Sequence, residues 1–327
     1  MALASPLLAL PSMDADLGRI EASLRRAVST TDAYLTELAS HLIVAGGKRL
    51  RPVMAVAAAL TQHDHASDEV IEGGTSVELV QVGSLYHDDV MDEAEMRRGV
   101  TSVNARWGNH RAILSGDFLL ARASEIAASL GAEVAGLLGN TIGRLVQGQI
   151  AELTTQYKIE RTVAEYLSSI DGKTASLFSA AARIGGIVAG LPRPHIDALT
   201  VCGQAYGMVF QIVDDILDLT KTEAELGKPA GHDIVEGVFT LPVIHTMTQG
   251  GPIGDELSTL LSSPIDATGL GRALTLVRSN GGLAHAAKVA REYATVAAEA
   301  MAPYRDTAAG RALADSSHAL IDSVVAS

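Results

Sequence analysis

The chain has 327 residues, 47% of them hydrophobic but only 4% aromatic, and a formal net charge of −13. That length and apolar content suit a large buried core, and the helix formers Ala and Leu are prominent in it, so the expected fold class is all-α. The acidic balance argues against nonspecific nucleic-acid binding; the single cysteine, Cys202, excludes an intrachain disulfide and fits a reducing, cytoplasmic setting.

Residues 1–12 are apolar, carry Pro6 and Pro11 and lack a basic leader, so they read as a loose N-terminal arm rather than a signal peptide. Leu17, Ile20, Leu24 and Val28 stripe one face of a helix from Met13 to Val28, with Asp14 or Asp16 as its cap. A second helix runs from about Thr31 to Val44 and stops at Gly46-Gly47. Gly46-Gly47-Lys48-Arg49-Leu50-Arg51-Pro52 follows. Glycines admit a ligand to the backbone and the cations suit an anion, although a basic surface loop has the same composition. Pro52 opens an apolar helix to about Leu60. His63-Asp64-His65 sits in a polar loop, Thr61–Ser67, without the further ligands a metal site needs.

The next helix, about Asp68 to Met91, ends in Asp88-Asp89-Val90-Met91-Asp92, with Arg97-Arg98-Gly99 beyond it. A second Asp-Asp-x-x-Asp, Asp214-Asp215-Ile216-Leu217-Asp218, lies on a helix from about His195 to Thr220. Residues four apart share a helix face, so Asp88 pairs with Asp92 and Asp214 with Asp218, and like charges so placed repel. One copy alone reads rather as a solvated acidic face. Two copies in apolar runs, one followed by an Arg pair, point to a hard divalent cation held by carboxylates and substrate phosphates.

Between the motifs, Asp117 in an apolar run reads as structural. Gln147, Gln149 and Glu152 sit on a long helical stretch, Gly131–Tyr157, and Lys173-Thr174 on another, Arg161–Leu191. After the second motif comes a Gly- and Pro-rich loop, Leu226–Asp233. Helices broken at Ser262-Ser263-Pro264 and Gly281-Gly282 then form scaffold. No apolar run reaches the roughly 18 residues of a bilayer span. No linker divides the chain, so 1–327 is expected to be one domain.

In their order and context these segments resemble the trans-isoprenyl diphosphate synthases of the polyprenyl synthetase family, of medium- or long-chain or geranylgeranyl type, over roughly Leu42 to Tyr304. The resemblance implies a large orthogonal helical bundle around a central cavity, the isoprenoid synthase fold, and a homodimer. It implies head-to-tail (1'-4) condensation of isopentenyl diphosphate with an allylic diphosphate, through an allylic carbocation, to a trans-polyprenyl diphosphate longer than farnesyl that is handed to a membrane. Three magnesium ions per active site are implied, with manganese able to substitute.

By the same resemblance Asp88, Asp89, Asp92, Asp214, Asp215 and Asp218 hold metal. Lys48, Arg51, Gln81 and Arg98 bind isopentenyl diphosphate; Arg97, Lys173 and Lys228 bind the allylic diphosphate. Thr174 and Gln211 face the carbocation, and Asp233 supports the metals through water. Gly83 and Ser84 stand where bulky aromatics would shorten the product tunnel, although small residues also suit close helix packing. Gln81 departs from a usual histidine and Val238 from a common lysine. The alternatives are another enzyme on this fold, such as a terpene cyclase, which lacks the Gly-Gly-Lys element, or a non-catalytic subunit of a heteromeric synthase, which generally loses aspartates.

Overall fold

The computed structural model describes residues 5–220 and 230–325. Helix α1 (Met13–Val28) has the bounds its stripe predicts, with Ile20, Leu24 and Val28 buried. Asp14 and Asp16 lie inside its first turn rather than at the cap, which is Ser12; buried Asp16 instead takes Arg19 at 2.8 Å. The Asp32 carboxylate accepts the Tyr34 and Leu35 N–H groups and starts α2 (Ala33–Val44). Helix α3 (Leu50–Ala59) begins before Pro52, because a proline in the first turn forfeits an N–H that has no intrahelical partner there. Ser67 caps α4 (Asp68–Met91), which has its expected span.

Residues 5–12 are not a loose arm. Pro6–Ala9 forms a 3-10 turn, and Leu7 and Leu10 enter the core beside the C-terminal helix. Complete burial of a leucine such as Leu7 contributes about 1.5–3 kcal/mol, which its local sequence does not reveal without the partner surface.

After α4, two strands absent from the sequence expectation, β1 (Met96–Arg97) and β2 (Val100–Thr101), pair antiparallel across a turn at Gly99. Helices α5 (Val103–Trp107), α6 (Asn109–Ser129) and α7 (Ala132–Thr155) follow. The stretch expected as one helix from Arg161 divides. A capping box between Thr162 and Glu165 opens α8 (Val163–Ile170), a π turn covers Asp171–Ala175, and α9 (Ser176–Val188) continues. Helix α10 (Arg193–Thr220) carries the second acidic motif. By length and composition it is apolar enough to cross a membrane, contrary to the expectation from apolar runs. However, 61% of its most apolar window is buried inside the protein, as in a core helix.

Helices α3 and α9 are buried on nearly all sides and pack on each other at the centre. α4 lies on α6, and α10 on α9. The remainder is α11 (His232–Val235), α12 (Leu241–Thr248), α13 (Gly251–Leu261), α14 (Ala267–Ser279), α15 (Gly282–Met301) and α16 (Ala308–Val325). Of these, α15 packs along α10 and α16 closes over both, which makes the C-terminal part scaffold as its composition suggested. Asp117 is exposed beside His87, and His63 bonds the Ala189 carbonyl at 2.9 Å.

Candidate active site

Helices α4, α7, α8 and α10, with the π turn, enclose a cavity of about 750 Å³. From α4 come Gln81, Ser84, Leu85, Asp88 and Asp92, a succession at helical spacing that turns one face inward. From α10 come Phe210, Gln211, Asp214 and Asp215. Two motifs far apart in the chain therefore border one space.

The six aspartates expected to hold metal take different places around the cavity. Asp88, Asp92, Asp214 and Asp215 line the cavity. Asp89, one residue round the helix from Asp88, is fully buried off the wall, where its Oδ1 accepts Arg97 Nε at 2.6 Å. Asp218 is buried off the wall and ties down α11: its Oδ2 accepts the Asp233 N–H at 3.4 Å. Asp215 is 3% exposed and accepts the Tyr166 hydroxyl at 2.5 Å and Gln211 Nε2 at 2.9 Å.

Burial raises the Asp88 pKa. Burial, reinforced by Glu236 and Asp88, pushes Asp92 up to about 6, and burial above all pushes Asp215 up to about 7. Negative charge held at this cost suits a cation. Among the described residues no three His, Cys, Asp or Glu side chains gather closely enough to hold an ion alone. That is the arrangement magnesium accepts, since it takes one or two carboxylates and completes its shell with water and phosphate oxygens. Asp88, Asp92 and Asp214 fit such an ion.

The cations come from several elements. Lys173 rides on the π turn, and its Nζ lies 2.6 Å from Glu152 Oε1. Burial opposes its charge, but Glu152 and then Asp88 outweigh that and raise its pKa. The turn is held by Arg144, which donates to Asp171 Oδ2 at 2.8 Å, and by Gln204 on Oδ1. On the same turn Thr174 Oγ1 donates to Gln211 Oε1 at 2.8 Å.

Arg51 lines the cavity with its guanidinium 4.5 Å over the Phe178 ring, and burial pushes its pKa down to about 10. Arg97, Gln81, Asp233 and Val238 also line it. Lys48 is exposed and off the wall. Arg98 is off the wall too. It donates to the Leu42 carbonyl at 2.9 Å and to Gly46, and approaches Glu78 at 3.6 Å. A Cβ on Gly47 would lie 3.0 Å from its guanidinium carbon, so the glycine pair makes room for Arg98. Lys228 lies outside the described residues.

Ser84 lines the cavity, but Gly83 does not: it faces α6, where a Cβ would meet the Gly116 carbonyl at 3.1 Å. Of the two small residues, the packing explanation holds for Gly83. Sequence reasoning passed over Tyr166, Arg161 and Glu236, all on the cavity wall. For Tyr166 a signal existed, since it precedes Lys173 by two helical turns on an apolar face.

An all-helical fold that lines one cavity with carboxylates and cations suits a transferase acting on diphosphate esters. The chain belongs to the polyprenyl synthetase family, whose model matches residues 32–267, and is a prenyltransferase of isoprenoid biosynthesis. It is 38% identical over 312 residues to the nonaprenyl diphosphate synthase of Mycobacterium tuberculosis, covering 95% of this chain and 92% of that one. It is 41% identical over 235 residues to the heptaprenyl diphosphate synthase component 2 of Geobacillus stearothermophilus, 71% and 73% of the two chains. The polyprenyl synthase of Caulobacter crescentus, solved with calcium and isoprenyl diphosphate, superposes with a TM-score of 0.88 at 31% identity, over 97% of this chain and 96% of that one.

Proposed function

We propose that residues 1–327 act as one catalytic domain in whose cavity isopentenyl diphosphate is added head-to-tail to an allylic diphosphate. The product is a trans-polyprenyl diphosphate longer than farnesyl, in keeping with the relatives' names. The observation that carries the site assignment is that Asp88, Asp92 and Asp214 border one cavity together with Arg97 and Lys173.

Asp88, Asp92 and Asp214 would hold magnesium, three ions per site as the resemblance implies, with manganese as a substitute; the relative solved with calcium supports divalent metal use. When bound, the ions neutralise charge developing on the leaving diphosphate. Lys173 and Arg97, with Lys228, add fixed positive charge at that end. Arg51 and Gln81 receive isopentenyl diphosphate, with Lys48 joining them as the resemblance implies, while Arg98 holds the glycine loop in shape. Gln211 and Thr174 turn oxygen atoms toward the allylic cation. Leu85, Leu145 and Phe210 exclude water that would quench it. The apolar tail extends past Ser84, and the product passes to a membrane from a cytoplasmic enzyme.

Leu114 on α6 and Val146 and Ile150 on α7 are exposed, and Gly136, Gly139 and Gly143, at helical spacing from Val146 and Ile150, have open space above them. This face suits a second copy of the chain, and a homodimer is part of the proposal. Incubation with labelled isopentenyl diphosphate, farnesyl diphosphate and magnesium, followed by chromatography of the dephosphorylated alcohols, tests the reading. Elongated, chelator-sensitive products support it; none, from folded protein, would end it.

A further inference from the structure

Both oxygens of Asp215 are already engaged, Oδ2 by the Tyr166 hydroxyl at 2.5 Å and Oδ1 by Gln211 Nε2 at 2.9 Å. Magnesium keeps several waters in a near-octahedral shell, which an exposed carboxylate admits more readily than a buried one tied to two side chains. Asp215 is 3% exposed, whereas Asp214 on the same helix is solvent-exposed.

We propose that Asp215 and Tyr166 are positioning residues that set which end of the Gln211 amide faces the reacting carbons; this rests on the prenyltransferase reading above. The two ends of an amide have nearly the same shape and opposite polarity. A carboxylate has no N–H to offer, so Asp215 takes the NH2 end. Oε1 is left toward Thr174, whose hydroxyl donates to it at 2.8 Å, on the wall that both residues share. Its remaining lone pair faces the space where positive charge develops; a reversed amide would place N–H dipoles there instead.

Tyr166 holds the Asp215 carboxylate in that orientation. Arg161 braces Tyr166 from behind, with its guanidinium carbon 5.6 Å from the ring centroid and its Nη atoms donating to Phe239 O at 2.9 Å and Ser169 Oγ at 2.8 Å.

The test uses Asp215→Asn and Tyr166→Phe, with two readouts. One is kcat and KM with isopentenyl and farnesyl diphosphates. The other, which needs no turnover, is the magnesium concentration giving half the thermal stabilisation seen with inorganic pyrophosphate. Both variants are expected to lose about tenfold or more in kcat, with KM and the magnesium midpoint within about twofold of wild type. Asp214→Asn is expected to raise the midpoint about tenfold or more. An equal rise in Asp215→Asn would make Asp215 a ligand, and wild-type kcat in Tyr166→Phe would remove the positioning role. Absence of turnover by the wild-type chain would reject the prenyltransferase reading, while the magnesium midpoints would still decide whether Asp215 is a ligand.

Discussion

Gly148 of α7 and Gly172 of the π turn meet backbone to backbone: a Cβ on Gly172 would lie 3.0 Å from the Gly148 Cα. A Cβ on Gly148 would lie 2.3 Å from the Lys173 nitrogen and 2.6 Å from the Ser169 carbonyl. The contact brings α7 against the turn that presents Lys173 and Thr174, and π turns of this kind recur at functional sites. Backbone atoms cannot swing aside as a side-chain end can. Gly148→Ala is therefore expected to cost about 1–3 kcal/mol in chemical denaturation and to lower kcat by displacing Lys173. Gly18→Ala, on a helix face with nothing within 4 Å, is expected to stabilise by about 0.5–1 kcal/mol. Equal stability of the two variants would refute the contact.

Asp88→Ala and Asp214→Ala each remove one of the carboxylates reaching the cavity from different helices. Activity is expected to fall by about a hundredfold or more, with circular dichroism unchanged and stabilisation by magnesium pyrophosphate lost. Near-normal turnover in either variant would remove that residue from metal binding.

The pH dependence has a definite sign. Burial pushes Asp92 up to about 6 and Asp215 up to about 7, against about 3.9 for an unfolded aspartate. The folded state thus binds these protons more tightly than the unfolded state. Their contribution to stability is fully present below about pH 4 and is lost as pH rises through the folded values. Magnesium held by Asp92 favours the ionised form of that carboxylate and offsets its share of the loss. The gain in melting temperature from magnesium pyrophosphate should be larger at about pH 8 than at about pH 5.5. A larger gain in acid would contradict it.

Gly83 and Ser84 are neighbours in sequence on different sides of α4. Ser84→Phe projects into the cavity and is expected to shorten the products, read by chromatography of the alcohols. Gly83→Phe meets the Gly116 carbonyl, so it is expected to destabilise by about 1–3 kcal/mol or more in thermal or chemical unfolding. Products shortened by Gly83→Phe at unchanged stability would reverse this assignment.

The proposed dimer face is tested by Leu114→Asp combined with Val146→Asp. Sedimentation should show a dimer for the wild type and a monomer for the double variant. A monomeric wild type would reject the face as a self-contact.

Much of the fold was legible from composition and spacing. The stripe in α1, Ser67 before α4 and the glycines at Gly281-Gly282 act locally, through side-chain periodicity and backbone conformation. Leu7 was misjudged because burial depends on a partner surface at the far end of the chain. The β1–β2 turn was missed because a two-residue ladder leaves no periodic trace.

By itself, the amino-acid order determined that Asp88 and Asp92 share a helix face, as do Gln211 and Asp215, because residues four apart are adjacent on any α-helix. Only the tertiary structure decided which faces look into the cavity. Packing of α4 on α6 turns Asp88 and Ser84 inward and Gly83 toward Gly116, while Arg97 holds Asp89 off the wall. Packing of α8 brings Tyr166 to Asp215. Helical period is a property of the local backbone; the rotation of a helix about its axis is set by the neighbours it packs against.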